Sequence, residues 1–172
     1  MINNYALIVR LININSNCGL IFNKAVNEDF EYFDDMTVVF TADIDMTGKT
    51  WTMVDSHADS AFELLELDGQ GHTISNFKSA GTDCEGLFGY CEMAVIENLG
   101  VTNANITGWY AGAIVAYAST SDIQNCFAKD CTITGFSNNS IALTSRRVYV
   151  GAVAGQGSGY VYNCYAVNCK LV

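Results

Sequence analysis

The sequence predicts an all-β protein, specifically a right-handed, single-stranded parallel β-helix (a solenoid) with a short N-terminal capping helix. Three observations lead to this prediction: the composition, an internal repeat, and the shortness of every apolar stretch. Half of the 172 residues are hydrophobic, 15 are glycine and none is proline. This mixture, rich also in Asn, Thr, Ser, Ile and Val, favours strands joined by tight turns. The length corresponds to about one domain with a substantial core.

The internal repeat lies in the C-terminal half of the chain. The segments "VIENLGVTNANITG" (95–108), "DIQNCFAKDCTITG" (122–135) and "YVYNCYAVNCKLV" (160–172) align without gaps. Asn98, Asn125 and Asn163 coincide, and the second step between them is longer than the first. A glycine landmark precedes each copy, as "GLFGY", "GAIVAY" and "GAVAG". The extra residues of the longer step fall in a polar insertion over 136–147, which predicts one repeated unit with a loop added to one copy.

Each unit is too short to bury its own apolar face, so neighbouring units must stack. The apolar stretches are broken by Gly, Asn or Asp and leave no room for a long amphipathic helix. Units of this length with several short strands are typical of the coils of a parallel β-helix. A leucine-rich repeat is the competitor, but its Leu-x-x-Leu-x-Leu pattern is missing. The general preference of parallel crossovers predicts a right-handed coil.

The predicted organisation has three parts. Residues 1–15 form an N-terminal extension, and residues 16–35 form a helical cap that Ser16 begins and that shields the first coil. Residues 36–172 contain the β-helix repeats, about four to five coils, with the insertion loop at 136–147. "MTVVFTADIDMTG" (36–48) and "FELLELDGQGHTISNF" (62–77) are the earlier, degenerate coils.

Charge and hydropathy exclude several functions. The net charge of −10 argues against nucleic-acid binding, since no basic stripe exists to neutralise phosphates. No apolar run approaches the ~20 residues of a transmembrane helix, so membrane insertion is not expected. No signal peptide is evident in this chain, which leaves a mature segment, a fragment or an intracellular protein open.

The seven cysteines include two pairs of equal spacing, "CFAKDC" and "CYAVNC". Such pairs could hold zinc, form disulfides or fill the core as free thiols. The repeat aligns the first pair with Leu99 and Ala104, which indicates inward positions. The sequence therefore favours two stacks of buried thiols, with metal and disulfides as the weaker alternatives; the stacked residues are Cys126 with Cys164 and Cys131 with Cys169.

Two sets of polar residues call for a structural and a functional interpretation. Asn98, Asn125 and Asn163 predict a ladder of stacked side-chain amides that satisfies a corner of the coil. Asp43, Asp45 and Asp68 are weak candidates for calcium ligands or for an acid/base pair. The structural alternative is that these aspartates bond turn backbone nearby. No cofactor is expected.

A contact surface is predicted near the insertion. Trp109 and Tyr110 precede one coil, and Arg146, Arg147 and Tyr149 precede the next. Aromatic residues with arginine bind sugars or form protein hot spots. The alternative is a solvated loop over an aromatic ladder.

The series "FTADIDMTGKTW", "LDGQGHTISNF", "GLFG", "AGAIVAY" and "VGAVAGQGSGYVYNC" resembles the GLUG-motif repeats of bacterial surface proteins. The resemblance covers about residues 16–172. It departs at "WTMVD" (51–55), where the family often has a proline-containing turn. The resemblance implies a pectin-lyase-like β-helix, a cell-surface or secreted setting, and no shared catalytic residues.

The first functional hypothesis is therefore a non-catalytic, adhesin-like surface module that spaces domains, displays loops, or binds host protein or glycan. The alternative is a polysaccharide-degrading lyase or hydrolase, or a fragment of one. A phage or secretion-system fibre segment is a third. Expected partners include further domains of a larger parent protein and a second copy paired through an exposed strand edge.

Overall fold

All regular structure in the described residues is β-strand, and every strand pairing is parallel. The computed structural model describes residues 10–14, 36–48, 51, 62–63, 66–136 and 147–172, with the backbone alone at 10–14, 36 and 62–63. The predicted all-β fold with parallel strands is confirmed. The helical cap predicted over 16–35, and residues 137–146 of the insertion, lie outside the described residues. None of the described ranges contains a helix with the length and hydropathy of a membrane span.

Within the described ranges the strands form four sheets, which we call A to D. Sheet A has eight strands: β1 (Arg10–Ile14), β2 (Met36–Phe40), β5 (Glu66–Asp68), β10 (Val95–Glu97), β14 (Val115–Gln124), β9 (Phe88–Glu92), β4 (Phe62–Glu63) and β18 (Ala154–Tyr162), the last beside β14.

The other three sheets are built from strands of two to four residues. Sheet B contains β3 (Ile44–Asp45), β6 (Thr73–Ser75), β11 (Gly100–Thr102), β15 (Phe127–Lys129) and β19 (Tyr165–Val167). Sheet C contains β7 (Lys78–Ala80), β12 (Asn105–Gly108), β16 (Thr132–Gly135) and β20 (Lys170–Leu171). Sheet D contains β8 (Cys84–Glu85), β13 (Tyr110–Gly112) and β17 (Tyr149–Gly151). From residue 66 onward the chain visits the sheets in the order A, B, C, D and returns to A.

The pairing register reproduces the shorter and the longer step read from the sequence. In sheet B, Thr73 pairs with Gly100 and Gly100 with Phe127, both at the shorter step, and Phe127 pairs with Tyr165 at the longer one. The change of offset falls between sheets C and D, where Gly108 pairs with Gly135 but Tyr110 pairs with Tyr149. The longer step therefore leaves the pairing on both sides intact.

Equivalent residues of successive units form layers in the core. One layer contains Leu67, Ile96 and Ile123, which pair in register and are at most 1% exposed. Ile106 and Ile133 form a second layer and are fully buried. Burial of such a side chain contributes about 1.5–3 kcal/mol. In the last unit, Val161 and Leu171 occupy the corresponding positions of these layers but are 54% and 52% exposed.

Two series of left-handed residues make the corners between strands. Between sheets A and B the corner residues include Asn98, Asn125 and Asn163, with φ between 53° and 55°. Between sheets B and C the series contains four residues, with φ from 52° to 62°: Asn76, Asn103, Asp130 and Asn168. Asn and Asp tolerate this backbone conformation better than other residues with a Cβ. The recurrent Asn therefore has two roles: its backbone adopts the left-handed conformation of the corner, and its side chain supplies an amide for hydrogen bonding.

Strand β14 is longer than β9 or β10 because it continues through a bend. Its first half pairs with β9 and its second half with β10. The register against β18 shifts between Ala118 and Ser121, at Thr120, whose φ is 48°. The buried Ser121 hydroxyl donates to the Ser119 carbonyl at 2.8 Å and accepts from the Ala94 amide at 3.1 Å. The Ser121 side chain thus forms hydrogen bonds with backbone groups around the bend.

Candidate functional site

Four partly exposed tyrosines lie together where sheet D meets sheet A. Tyr110 and Tyr149 pair in register, and their rings stack at 5.4 Å with 4° between the planes. Tyr90 and Tyr117 also pair, and their rings stack at 5.1 Å and 12°. The rings of Tyr110 and Tyr117 meet edge to face at 5.5 Å and 81°, which joins the two stacks. We call Tyr90, Tyr110, Tyr117 and Tyr149 the tyrosine cluster.

The pleat of the strands explains why these rings face outward. The neighbours Ala111, Ala116 and Ala118 are at most 3% exposed, so their side chains point inward and the tyrosines between them point outward. Parallel in-register pairing then places one ring above the next. Each aromatic pair adds about 0.5–1.5 kcal/mol beyond its area burial.

The surroundings of the cluster change the acidity of one of its hydroxyl groups, that of Tyr110. Burial raises the pKa of Tyr110 above its usual value, and the nearby Cys84 and Tyr149 raise it further. A neutral phenol both donates and accepts hydrogen bonds. The cluster therefore combines partly exposed aromatic rings with phenol hydroxyls, a combination found at sugar-binding sites and protein hot spots.

The structure brings together only part of the contact surface predicted from the sequence. Tyr110 and Tyr149 lie in the cluster, whereas Trp109 is 4% exposed and its ring packs against Phe136 at 6.0 Å, so it is not a surface residue. Arg147 is exposed, and Arg146 lies outside the described residues. Tyr90 and Tyr117 were missed by sequence reasoning. The signal was present, because the aligned landmarks "GLFGY" and "GAIVAY" both end in tyrosine.

The three candidate calcium or acid/base carboxylates lie at turns. Asp43 Oδ1 accepts the Thr73 amide at 2.8 Å and lies 3.3 Å from His72 Nδ1, and this amide and the imidazole lower the Asp43 pKa. Asp45 Oδ1 accepts the amide and hydroxyl of Thr47 at 2.9 and 2.7 Å. Asp68 Oδ1 accepts the Gln70 amide at 2.9 Å. Within the described residues, no three metal-ligating side chains converge.

The paired cysteines line the core behind the corners. Cys126 and Cys131 are at most 1% exposed, while Cys164 and Cys169 are partly exposed, and all four are free thiols. The Cys126 amide lies 3.4 Å from Cys164 Sγ. Burial raises the pKa of Cys126 to about 12 and that of Cys131 to about 11. Both thiols are therefore protonated and unreactive at neutral pH.

The side-chain amides at the first corner form a continuous column. Asn163 Nδ2 donates to Asn125 Oδ1 at 2.5 Å, and Asn125 Nδ2 donates to Asn98 Oδ1 at 3.1 Å. Asn98 Nδ2 donates to Asp68 Oδ1 at 2.9 Å, where the column ends. We call this series the first column; each asparagine in it passes a hydrogen bond towards the N-terminal side of the stack.

A buried carboxylate lies near the tyrosine cluster in sheet D. Glu85 is 8% exposed and accepts the Ser79 hydroxyl at 2.5 Å. Gly81 and Gly108 leave the space for it, because a Cβ at either position would collide with the Glu85 side chain. Burial raises the Glu85 pKa, Ser79 opposes this shift, and Asp83 adds to it. The sequence offered no signal for this residue beyond the glycines around it.

Comparison with known proteins supports the family resemblance. Residues 107–134 match the GLUG motif. The chain carries the GLUG motif, as its sequence predicted. The matched GLUG segment runs from β12 through Tyr110 and Tyr117 to β16 and thus contains half of the tyrosine cluster.

Two known proteins are similar to parts of the GLUG-containing chain. It is 41% identical over 86 residues to halomucin from Haloquadratum walsbyi, covering 48% of this chain and 1% of halomucin. A solved structure of a candidate immunoglobulin A1 protease from Bacteroides ovatus has a TM-score of 0.55 and 22% identity, over 76% of this chain and 50% of that one. The chain thus spans a very small part of halomucin and half of the solved structure, whose likeness is one of fold.

Proposed function

We propose that this chain is a non-catalytic, adhesin-like module of a cell-surface or secreted protein, and that it binds glycan. The GLUG motif and the similarity to a segment of halomucin, a protein named as a mucin, support the surface setting. The four parallel sheets and the in-register pairing of successive units support a right-handed, single-stranded parallel β-helix as the scaffold.

The observation that carries the binding proposal is the tyrosine cluster. Stacking of rings fixes their orientation before any ligand arrives, so little side-chain entropy is lost on binding. Aromatic side chains contact the apolar faces of sugar rings, and phenol hydroxyls form hydrogen bonds with sugar hydroxyls. A protein ligand that inserts an apolar side chain is the competing partner.

Binding to immobilised neutral polysaccharides and to mucin-type glycopeptides, with titration of the best ligand, tests the proposal. Tyr110→Ala and Tyr117→Ala should each weaken binding about tenfold, as loss of a contact of about 1.4 kcal/mol does. Tyr110→Phe keeps the ring and should retain most of the affinity while losing hydroxyl contacts.

Tyr165→Ala is the matched control. Tyr165 is 57% exposed and stacks on Phe127 at 5.3 Å in sheet B, away from the cluster, so this variant removes a stacked tyrosine without touching the proposed site. Equal affinities in all four variants and the wild type, or absence of binding to every glycan, would overturn the proposal. Thermal unfolding of each variant shows whether a loss of binding reflects a loss of fold.

The polysaccharide-degrading alternative is tested with the same ligands. Joint replacement of Asp43, Asp45 and Asp68 by Asn leaves the tyrosine cluster intact. Cleavage of a bound polysaccharide by the wild type, and its loss in the triple variant, would replace the module proposal with an enzyme.

A further inference from the structure

A second polar surface lies at the corner between sheets B and C, with residues different from those of the tyrosine cluster. An open groove of about 480 Å³ lies beside the corner residues. Half of its lining residues carry an amide or a hydroxyl, and one lysine and one aspartate also line it. The polar lining includes Thr47, Asn76, Lys78, Asn103, Asp130 and Thr132.

The groove contains an interruption in the second series of corner side chains, which we call the second column. Asn103 Nδ2 donates to Asn76 Oδ1 at 2.5 Å, and Asn76 Nδ2 donates to Asp45 Oδ1 at 2.8 Å. On the other side, Asn168 Nδ2 donates to Asp130 Oδ1 at 3.2 Å. Asp130 follows Asn103 in the stack, and an ionised carboxylate has no hydrogen to donate. Asn103 Oδ1 therefore receives none from the residue stacked on it.

The interruption places two acceptor groups next to each other in the wall of the groove. The backbone holds them in place, since the Asn103 amide donates to the Lys129 carbonyl at 2.9 Å and both residues have a left-handed φ, 52° at Asn103 and 55° at Asp130. Stacked residues on adjacent parallel strands are separated by about 4.8 Å. A ligand that supplies hydrogens between them would complete the column.

The remaining lining selects the kind of ligand. Lys78 is exposed and offers an ammonium group, while Thr132 offers a hydroxyl. A free cation would face Lys78, and an anion would face Asp130. A neutral ligand with several hydroxyl groups, each both donor and acceptor, satisfies both walls.

We propose that this groove binds a neutral oligosaccharide, whose hydroxyls donate to the Asp130 carboxylate and the Asn103 carbonyl and accept from Lys78. The inference deepens the proposed glycan-binding function by adding a second site, and it rests on the interruption of the second column rather than on the tyrosine cluster.

The decisive variant is Asp130→Asn, because it restores the missing donor from within the protein. Asn at this position should bond Asn103 Oδ1, close the column and weaken oligosaccharide binding at the groove about tenfold, without loss of fold. Asn125→Asp is the matched control, since it introduces the same interruption in the first column and should leave groove binding unchanged.

Backbone NMR spectra recorded during titration with neutral gluco-, manno- and N-acetylglucosamine oligosaccharides locate the binding. Ligand-dependent shifts at Asn103, Asp130 and Lys78 in the wild type, and their loss in Asp130→Asn, are the expected result. Shifts confined to the tyrosine cluster would refute the groove and leave the proposed function standing. Shifts confined to the groove would support the groove and refute the tyrosine cluster as a glycan site.

Two other results would also overturn the inference. One is the absence of groove shifts with every neutral oligosaccharide at millimolar concentration. The other is a response at Asp130 to calcium chloride but not to sugar, which would make the groove a cation site.

Discussion

The first and second columns are built on the same backbone and differ in one functional group. Asn125 and Asp130 are corner residues of the same unit, with φ of 53° and 55°. Asn125 accepts a hydrogen bond from one neighbour and donates one to the other, whereas Asp130 only accepts. A side chain that both donates and accepts can propagate a column through any number of units, and a carboxylate ends it. Asp68 and Asp45 show the same rule, because both columns end on an aspartate.

The largest effect should come from truncating one asparagine in each column. Asn125→Ala loses two side-chain bonds and places a Cβ residue without an amide in the left-handed region, for a total cost of about 2–3 kcal/mol. Asn103→Ala has the same backbone cost but loses only the bond to Asn76 from its column, so it should cost about 1 kcal/mol less. Chemical denaturation measures both.

Glycine replacements at the same positions separate backbone from side chain. Asn125→Gly keeps the left-handed conformation without strain and should recover part of the loss. Equal destabilisation of the two alanine variants would contradict the difference drawn between the columns.

A smaller effect, of opposite sign, is expected from repairing the second column. Asp130→Asn should raise the free energy of unfolding by about 0.5–1.5 kcal/mol, the net value of one hydrogen bond. Asn125→Asp should lower it by a similar amount. If Asp130→Asn is neutral and Asn125→Asp is destabilising, solvent satisfies Asn103 Oδ1 as well as a protein donor does.

The alkylation rates of the cysteines test how well the core behind each column is protected from solvent. Cys126 follows the first column and Cys131 the second, with pKa values raised to about 12 and about 11. Burial and the raised pKa values keep both thiols protonated, so both should be alkylated slowly in the native protein. The partly exposed Cys164 and Cys169 should react before both. Mass spectrometry of peptides after timed alkylation gives the order, and full labelling of Cys126 ahead of Cys164 would contradict it.

The smallest expected effect is the contribution of Glu85 to the pH dependence of the free energy of unfolding. Glu85 is a buried acceptor whose pKa is raised above its ordinary value of 4.5, so its folded form binds a proton more tightly than its unfolded form. Its contribution to stability is greatest below the unfolded-state pKa and is lost as pH rises through the folded-state pKa.

Glu85→Gln isolates that contribution. The difference in unfolding free energy between wild type and variant should favour the wild type more at acidic pH than at neutral pH. A difference that does not change with pH would mean that Glu85 ionises in the folded protein as it does in the unfolded chain.

The sequence predicted the parts of the fold that repeat. Matching Asn98 with Asn125 and Asn163 predicted how β10, β11 and β12 pair with the equivalent strands of the next unit, because parallel pairing in register places equivalent residues above one another. The tyrosine cluster was only half predicted, because the glycines of "GLFGY" and "GAIVAY" indicated a repeated turn, whereas the tyrosines that end these segments form no local pattern of their own. Burial of Trp109 depends on its packing against Phe136, which lies a full repeat further along the chain, and no local pattern encodes such a contact.

The sequence shows that Asp130 occupies a position where other units have Asn, but it does not show that this substitution interrupts the column. Asn and Asp fit the same left-handed corner, so a sequence pattern treats them as equivalent. The side-chain amides all donate their hydrogen bonds towards the N-terminal side of the stack. Only this common direction shows that a carboxylate, which cannot donate, interrupts the series.

The offset between paired residues lengthens from the Gly108–Gly135 pair to the Tyr110–Tyr149 pair, with sheets C and D paired on either side. The number of residues between β16 and β17 therefore does not decide which strands pair. For protein engineering, this segment is a natural graft point: a peptide epitope or binding loop in place of residues 137–146 should leave the flanking strands with their partners.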